Sequence, residues 1–123
     1  MSAQPLLAGA AALIERGWSQ GADARDVTGC PTEPWNDDAR AWSLLGALVC
    51  TLEETAEEEG EDHAIRSLAT ACLLLANLLD VASLEEWNDD PQRRRDEVSN
   101  LLAAAGEADR GGSNARDDVG QER

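Results

Sequence analysis

Apolar side chains recur at helical spacing in four segments of the chain, which predicts four main helices. The first helix is expected over about residues 3–16, because Pro5 suits a first helical turn and Gly17 suits a helix end. Residues 17–34 hold several Gly and Pro without helical period, so they predict an ordered loop with a short hairpin around positions 28–29. The inward stripe of the first helix is Leu6, Leu7, Ala10, Leu13 and Ile14.

A second helix is expected from Asp37. Gly46 inside it costs about 0.5–1 kcal/mol relative to Ala, and therefore predicts that another backbone passes close to it. The helix should fray near Gly60, since carboxylates at a helix C-terminus oppose its dipole. Its predicted inward stripe is Trp42, Leu45, Val49 and Leu52, with Leu44 and Leu48 beside it.

Asp62 is expected to cap a third helix, which should be central and the most buried because apolar residues cover more than half of its circumference. Ser83 and Glu86 have the spacing of a capping box, which predicts a short helical turn. A last helix should begin between Asp90 and Arg94. The apolar residues of the third helix are Ile65, Leu68, Ala69, Cys72, Leu73, Leu75, Ala76, Leu78 and Leu79, and those of the last are Val98, Leu101, Leu102 and Ala105.

These elements predict an all-α fold, a compact bundle of four main helices with a long ordered loop between helices 1 and 2. A chain of 123 residues suits one domain with one core. We expect this single helical domain to span residues 1–108. Residues 109–123 have no apolar period and predict a disordered acidic and polar tail.

The charge of the chain limits its partners. The formal net charge is −15, with 25 acidic and 10 basic residues. Such a field repels nucleic acid and anionic membrane, and it favours a basic protein surface, such as that of a nucleic-acid-binding protein. Three unpaired cysteines favour a reducing, cytoplasmic setting. The apolar run at residues 5–14 lacks the features of a leader peptide. The apolar run at residues 69–79 is too short to span a membrane.

The densest acidic stretch, residues 53–62, carries seven carboxylates in ten residues and is called the acidic segment below. The simplest interpretation is a solvated face, which is the usual role of a charge run. The functional interpretation is a docking surface for a basic protein, or part of a mimic of the DNA phosphate array. Its carboxylates belong to Glu53, Glu54, Glu57, Glu58, Glu59, Glu61 and Asp62.

A second set of polar residues predicts a cluster in which Arg25 or Arg93 pairs with the Asp89 carboxylate beside an indole. It would either clamp the 17–34 loop onto the last helix or form a small-ligand or hydrolytic site. The clamp is favoured, because irregular backbone needs polar partners. The members of this cluster are Trp18, Arg25, Asp26, Trp87, Asn88, Asp89 and Arg93.

Signals for enzyme chemistry are weak. His63 belongs to the first turn of a predicted helix, and Cys72 belongs to an apolar stripe. Neither Cys50 nor Cys72 therefore predicts a metal site, or a pair of nucleophile and base, together with His63. The Arg93 to Arg95 run more simply pairs with the protein's own acids than with nucleic acid. We expect no catalytic residues, no metal and no cofactor. The oligomeric state stays open.

Three blocks occur in order along the chain: Gly17-Trp18-Ser19-Gln20-Gly21-Ala22 with Ala24-Arg25-Asp26, then Trp42 with Leu45-Gly46-Ala47-Leu48, then Trp87-Asn88-Asp89 with Pro91, Arg93 and Glu97-Val98. In these blocks the chain resembles a family of small bacterial and phage proteins catalogued as a domain of unknown function. The resemblance runs to about Leu102 and implies a mainly helical domain, but no activity. Ser43 and Arg94 stand where the family commonly has Cys and a capping Thr.

The tetrapeptide Trp-Asn-Asp-Asp occurs at residues 35–38 and again at 87–90, each time before a helical segment. An Asn or Asp there accepts the unpaired N–H groups of a first turn. Only the second copy lies in a block shared with the family. We therefore interpret the first copy as an ordinary helix start and the second as the structural knot that holds the loop.

The sequence thus favours a non-enzymatic, acidic interaction module that regulates or inhibits a basic partner. The association of the resembling family with phage motivates a sharper version, an anti-defence protein or DNA mimic. A small-ligand binder or hydrolase that uses the cluster beside Trp87 is the alternative.

Overall fold

The described residues form mostly helices, with a short sheet between the first two of them along the chain. The computed structural model describes the backbone of residues 3–122 and the side chains of residues 3–109. Over this range the elements in chain order are α1 (Gln4–Arg16), β1 (Ala24–Asp26), β2 (Pro31–Thr32), β3 (Ala39–Trp42), α2 (Leu44–Glu59), α3 (Glu61–Leu79), α4 (Leu84–Asn88) and α5 (Arg95–Glu122). The predicted domain limit and disordered tail stay predictions, because residues 110–123 lie outside the described side chains.

The expectation of an all-α fold is wrong. The three strands form an antiparallel sheet in the order β2-β1-β3, with Ala24 opposite Thr32 on one side and Trp42 on the other. The hairpin expected around positions 28–29 is present as the β1–β2 connection. β3, however, was expected to be the first turn of the second helix. Its buried residues, Ala39 and Trp42, are three apart, which is helical spacing. A regular strand would alternate between faces, and a shift in register opposite Arg25 and Asp26 interrupts that alternation in β3.

The first Trp-Asn-Asp-Asp is a turn and not a helix start. The Asn36 side chain accepts a hydrogen bond from the Asp38 amide at 2.8 Å, and the Asn36 carbonyl accepts one from the Ala39 amide at 3.0 Å. This local bonding closes a turn that leads into β3. The same side-chain chemistry that caps helices therefore serves a loop here.

Helix α2 begins seven residues later than expected. Ser43 is in extended conformation, and its hydroxyl accepts a hydrogen bond from the Gly46 amide at 2.9 Å, which caps the helix. The inward face is consequently shifted from the predicted stripe, and Leu45, Val49 and Leu52 are only partly buried. The buried residues of α2 are Leu44, Gly46, Ala47, Leu48, Thr51 and Thr55.

Helix α1 is more enclosed than α3. It packs chiefly against α5 and α2 and also contacts α3 and β3, and its buried residues are four of the five predicted. In α3 only Ala64, Ser67, Ala71 and Leu75 are buried, whereas Ile65 and Leu73 are 52% and 66% exposed. The prediction of a central third helix is wrong because its neighbours cover only one side of it. No helix of the described backbone is both long and apolar enough to cross a lipid bilayer.

The close backbone approach predicted at Gly46 is confirmed. A Cβ atom there would lie 1.9 Å from the Asp23 carbonyl oxygen. This contact brings the strand-bearing segment against the first turn of α2, where the Ser43 amide donates to the same carbonyl at 3.0 Å.

Substituting Gly46→Ala should destabilise the fold by about 1–3 kcal/mol, because the added methyl meets backbone and not a movable side chain. An Ala in an open helix position would instead stabilise by about 0.5–1 kcal/mol. Urea unfolding at constant pH measures the difference. Gly106→Ala is the matched control, since its Cβ would meet only the Gln4 side chain at 3.4 Å or more. Equal stability of both variants would contradict the contact.

Candidate functional site

Asn88 is the centre of the polar cluster. It is 1% exposed, and its side-chain oxygen accepts hydrogen bonds from the Trp18 indole at 2.8 Å and from the Leu44 amide at 3.0 Å. Its side-chain nitrogen donates to the Ser19 carbonyl at 3.1 Å and to the Asp89 carboxylate at 3.0 Å. All four hydrogen-bonding positions of the amide are thus used. The residue joins α4, the loop after α1 and the first amide of α2.

The loop after α1 is bound to the second Trp-Asn-Asp-Asp by further hydrogen bonds. The Gln20 side-chain amide donates to the carbonyls of Asn88 and Asp90 at 2.9 and 2.7 Å. The Gly21 amide donates to the Asp89 carboxylate at 3.0 Å, and Gly21 has a φ of 79°, which favours glycine. Asp89 therefore accepts from an amide and from Asn88, rather than from either predicted arginine.

Arg25 and Asp26 hold the hairpin. The Arg25 guanidinium donates to the carbonyls of Gly29 and Gln20 at 2.9 and 3.1 Å. The Asp26 carboxylate accepts from the Thr28 hydroxyl at 2.6 Å and from the amides of Thr28 and Cys30 at 2.9 and 3.0 Å. These bonds, led by the one from the hydroxyl, hold the pKa of Asp26 below its ordinary value against the effect of desolvation.

Arg93 stacks on Trp87. Its guanidinium carbon lies 3.9 Å from the indole centroid, and its Nε donates to the Trp87 carbonyl at 3.0 Å. Its terminal nitrogens lie 3.8 Å from Asp90 and 3.6 Å from Glu97. The arginine thereby ties α4 to the start of α5.

Helix α5 begins at Arg95, just past the predicted interval from Asp90 to Arg94. Its first turn is capped by a side chain of the helix itself, that of Glu97. The Glu97 carboxylate accepts from the Arg94 amide at 2.9 Å, and the Glu97 amide donates to the Arg94 carbonyl at 3.0 Å. This is the glutamate half of a capping box. It explains how the helix starts although Arg94 has no capping side chain.

The seven carboxylates of the acidic segment are all exposed, at the end of α2 and the beginning of α3. Among the described side chains, one of the seven contacts a basic side chain: the Glu59 carboxylate lies 2.8 Å from the His63 imidazole. Gly60, with a φ of 93°, turns the chain between the two helices. The described part of the chain has no group of three or more His, Cys, Asp or Glu side chains placed to hold a metal ion.

A cleft adjoins the acidic segment. Its volume is about 260 Å³, and it is lined by Trp35, Cys50, Glu53, Glu54 and Glu57. The Trp35 side chain is 49% exposed, although an indole of this size is mostly buried in proteins. We call this feature the Trp35 cleft. It combines an aromatic surface with three carboxylates, which suits the guanidinium or ammonium group of a partner.

The three cysteines are free thiols. Burial raises the pKa of Cys50, and the nearby charges of Glu54 and Glu53 raise it further, against the opposite effect of Arg16. Burial likewise raises the pKa of Cys72. Both thiols are therefore held in their protonated, weakly nucleophilic form near neutral pH.

Sequence reasoning missed several residues that the structure brings into these sites. The sequence predicts a helix start at Trp35 and gives no sign of its place beside the acidic segment. Gln20 and Ser19 belong to a motif block, but their bonds to Asn88 span about 70 residues and leave no local signal. Ser43, placed before the true apolar stripe of α2, was a capping signal that the sequence did contain.

Substituting Asn88→Ala should reduce the free energy of unfolding by about 3 kcal/mol or more, since it leaves the Trp18 indole, the Leu44 amide and the Ser19 carbonyl without a partner. Urea unfolding followed by circular dichroism provides the measurement. Asn77→Ala on exposed α3 surface is the control and should stay within about 0.5 kcal/mol of the wild type. A loss below about 1 kcal/mol for Asn88→Ala would contradict the central role of this amide.

The Asp26→Asn substitution should make the free energy of unfolding less dependent on pH in the acidic range. Because the folded pKa of Asp26 is lowered, its carboxylate stabilises the fold above the ordinary pKa, and this contribution is lost as pH falls through the folded pKa. The free energy of unfolding should thus fall less steeply below about pH 4 in the variant than in the wild type. Asp37→Asn, on the exposed turn, is the matched control. Identical acid profiles of Asp26→Asn and wild type would refute the hydrogen-bonded carboxylate.

Comparison with known proteins places most of the chain in one family. The model described as Family of unknown function (DUF6197) matches residues 1–108. Searches of the curated proteins and of the solved structures found no match.

Proposed function

The chain belongs to DUF6197, a family of unknown function, and we propose that it is a non-enzymatic interaction module that binds a basic protein through the acidic segment and the Trp35 cleft. The effect on the partner is regulatory or inhibitory. The observation that carries the proposal is the half-exposed Trp35 indole beside Glu53, Glu54 and Glu57.

The chemistry of the cleft suits an arginine or lysine side chain. An aromatic face attracts a cation through its quadrupole, and the three carboxylates accept the hydrogen bonds that the cation donates. Arginine fits best, because its planar guanidinium stacks on an indole while its edge donates to carboxylates. The pairing of Arg93 with Trp87 shows the same stacking inside this protein.

The acidic segment adds attraction over a longer range. Glu57, Glu58 and Glu59 lie in the last turn of α2, where the negative end of the helix dipole adds to their field, whereas Glu61 and Asp62 lie in the first turn of α3, at the positive end of its dipole. Acidic side chains at a helix C-terminus lower the stability of that helix, so this arrangement is costly without a cationic partner. The net charge of −15 steers a basic protein toward the surface.

The polar cluster beside Trp87 offers a poorer site. The Asn88 amide is fully hydrogen-bonded inside the protein, Arg25 donates to two backbone carbonyls, and Asp26 accepts three hydrogen bonds from its own hairpin. A ligand would have to replace these contacts. We therefore do not retain the small-ligand or hydrolase alternative.

Binding of a deca-arginine peptide, measured by isothermal titration calorimetry, tests the proposal. Replacing Glu53, Glu54 and Glu57 with Gln should weaken binding about tenfold, because each exposed charge pair contributes a modest energy. Trp35→Leu should weaken it separately by removing the aromatic face, and added salt should weaken it throughout. A second triple variant, Glu58, Glu59 and Glu61→Gln, tests the part of the acidic segment outside the cleft.

The matched control replaces Glu33, Glu85 and Glu86, which are exposed and outside the acidic segment, with Gln. It removes the same number of charges and should change affinity less than about threefold. An equal loss of affinity in this control and in the Glu53, Glu54 and Glu57 variant would mean that net charge alone attracts the peptide. The proposed surface would then be rejected.

The native partner is tested by capture from the host with the wild type and with the cleft variant, followed by mass spectrometry. Proteins retained by the wild type and lost with the cleft variant are candidate partners. The DNA-mimic version predicts that the partner binds DNA and that DNA competes with this protein for it. A partner that DNA does not displace would reject that version while leaving the basic-partner proposal in place.

A further inference from the structure

The outward face of α3 carries exposed apolar residues that no other described element covers. Ile65 is 52% exposed and Leu73 is 66% exposed, Ala69 is exposed between them, and Cys72 and Ala76 are partly exposed. These five residues follow one side of the helix at intervals of three or four, and we call them the α3 face. We propose that a second copy of this chain binds here, with the two α3 helices antiparallel. This inference does not rest on the proposed function.

The distribution of charge favours a second copy. Residues 67–79 contain no ionisable acid or base other than the Cys72 thiol, in a chain of net charge −15. A basic partner finds no carboxylate along these residues, whereas a second copy meets no like charge on them. The carboxylates that would repel it lie at the helix ends, in Glu61, Asp62 and Asp80.

The charges at the helix ends select the antiparallel arrangement. If two α3 helices cross at Leu73, residue 66 of each copy faces residue 80 of the other. Arg66 and Asp80 are both exposed, and among the described side chains neither has an ion-pair partner. Antiparallel pairing thus forms two Arg66–Asp80 pairs by symmetry. Parallel pairing would instead place Asp80 against Asp80 and Asp62 against Asp62.

The shape of the face suits helix packing but limits the strength of association. Small residues, Ala69 and Ala76, alternate with the larger Ile65 and Leu73, so the side chains of one copy can enter gaps in the other. A helix of this length is about 28 Å long, and a face about 10 Å wide buries roughly 300 Å² per copy. Stable interfaces bury about 800 Å² per partner. The dimer should therefore be weak and should dissociate on dilution.

Sedimentation equilibrium of the full chain over a wide concentration range tests for the dimer. The wild type should associate reversibly, and Leu73→Asp should weaken association at least tenfold, because it buries a charge at the crossing point. Val27→Asp is the matched control, since Val27 is 81% exposed in the β1–β2 turn and lies outside the face. A wild type that stays monomeric up to millimolar concentration, or a Leu73→Asp variant that associates as the wild type does, would overturn the proposal.

Charge reversal tests the antiparallel arrangement. Arg66→Asp and Asp80→Arg should each weaken association about threefold to tenfold, and the double variant should restore it. Asp80 has a φ of 57°, so the stability of each monomer is measured alongside to separate folding from association. Failure of the double variant to recover, with Leu73→Asp still disruptive, would overturn this arrangement.

Salt distinguishes the dimer from binding of a basic partner. Added salt screens the repulsion between two copies of charge −15 and leaves apolar burial intact, so it should strengthen self-association. Binding of a cationic peptide at the acidic segment should weaken under the same conditions. Because salt also screens the Arg66–Asp80 pairs, the measurement is repeated on an Arg66→Gln, Asp80→Asn double variant, which lacks them; self-association of this variant that weakens with salt would contradict an apolar interface.

Discussion

The buried amide of Asn88 connects three parts of the chain, namely α4, the loop after α1 and the start of α2. Its oxygen accepts hydrogen bonds from the Trp18 indole and from the Leu44 amide at the start of α2. Its nitrogen donates a hydrogen bond to the Ser19 carbonyl in the loop after α1. Burying such a group is unfavourable unless every hydrogen bond is formed. Because all of them form only when α4, the loop and α2 are together, this residue selects one arrangement of the three.

The sheet depends on that arrangement. Once the loop after α1 is fixed, β1 runs beside β3 and the Asp23 carbonyl meets the start of α2, where Gly46 leaves room for it. Trp42 then becomes buried, and its indole donates to the Pro34 carbonyl at 3.0 Å. Polar residues of the first and third sequence blocks, among them Gln20, Arg25 and Asn88, thereby form hydrogen bonds that hold the fold.

Two surfaces of opposite character lie on the neighbouring helices α2 and α3. The acidic segment and the Trp35 cleft concentrate exposed carboxylates around an aromatic ring, whereas the α3 face is apolar and uncharged. The first favours a cation and the second favours another apolar face, so the two need not compete for one partner. A weak dimer would display two copies of the acidic segment, and a partner with two basic sites would bind such a pair more tightly than one copy.

The sequence by itself determined the helices, most of their ends and the inward residues of α1, because helical periodicity, capping residues and glycine are local signals. It also indicated the hairpin and the close approach at Gly46. Only the tertiary structure decided that residues 39–42 form a strand and that α3 is half exposed. With Ala39 and Trp42 inward, residues 39–42 have helical spacing, and they form a strand only where the pairing of β3 with β1 shifts register between Arg25 and Asp26. Likewise the apolar residues of α3 would suit a central helix, but burial depends on which sides of the helix its neighbours cover, and that arrangement is not encoded in any single segment.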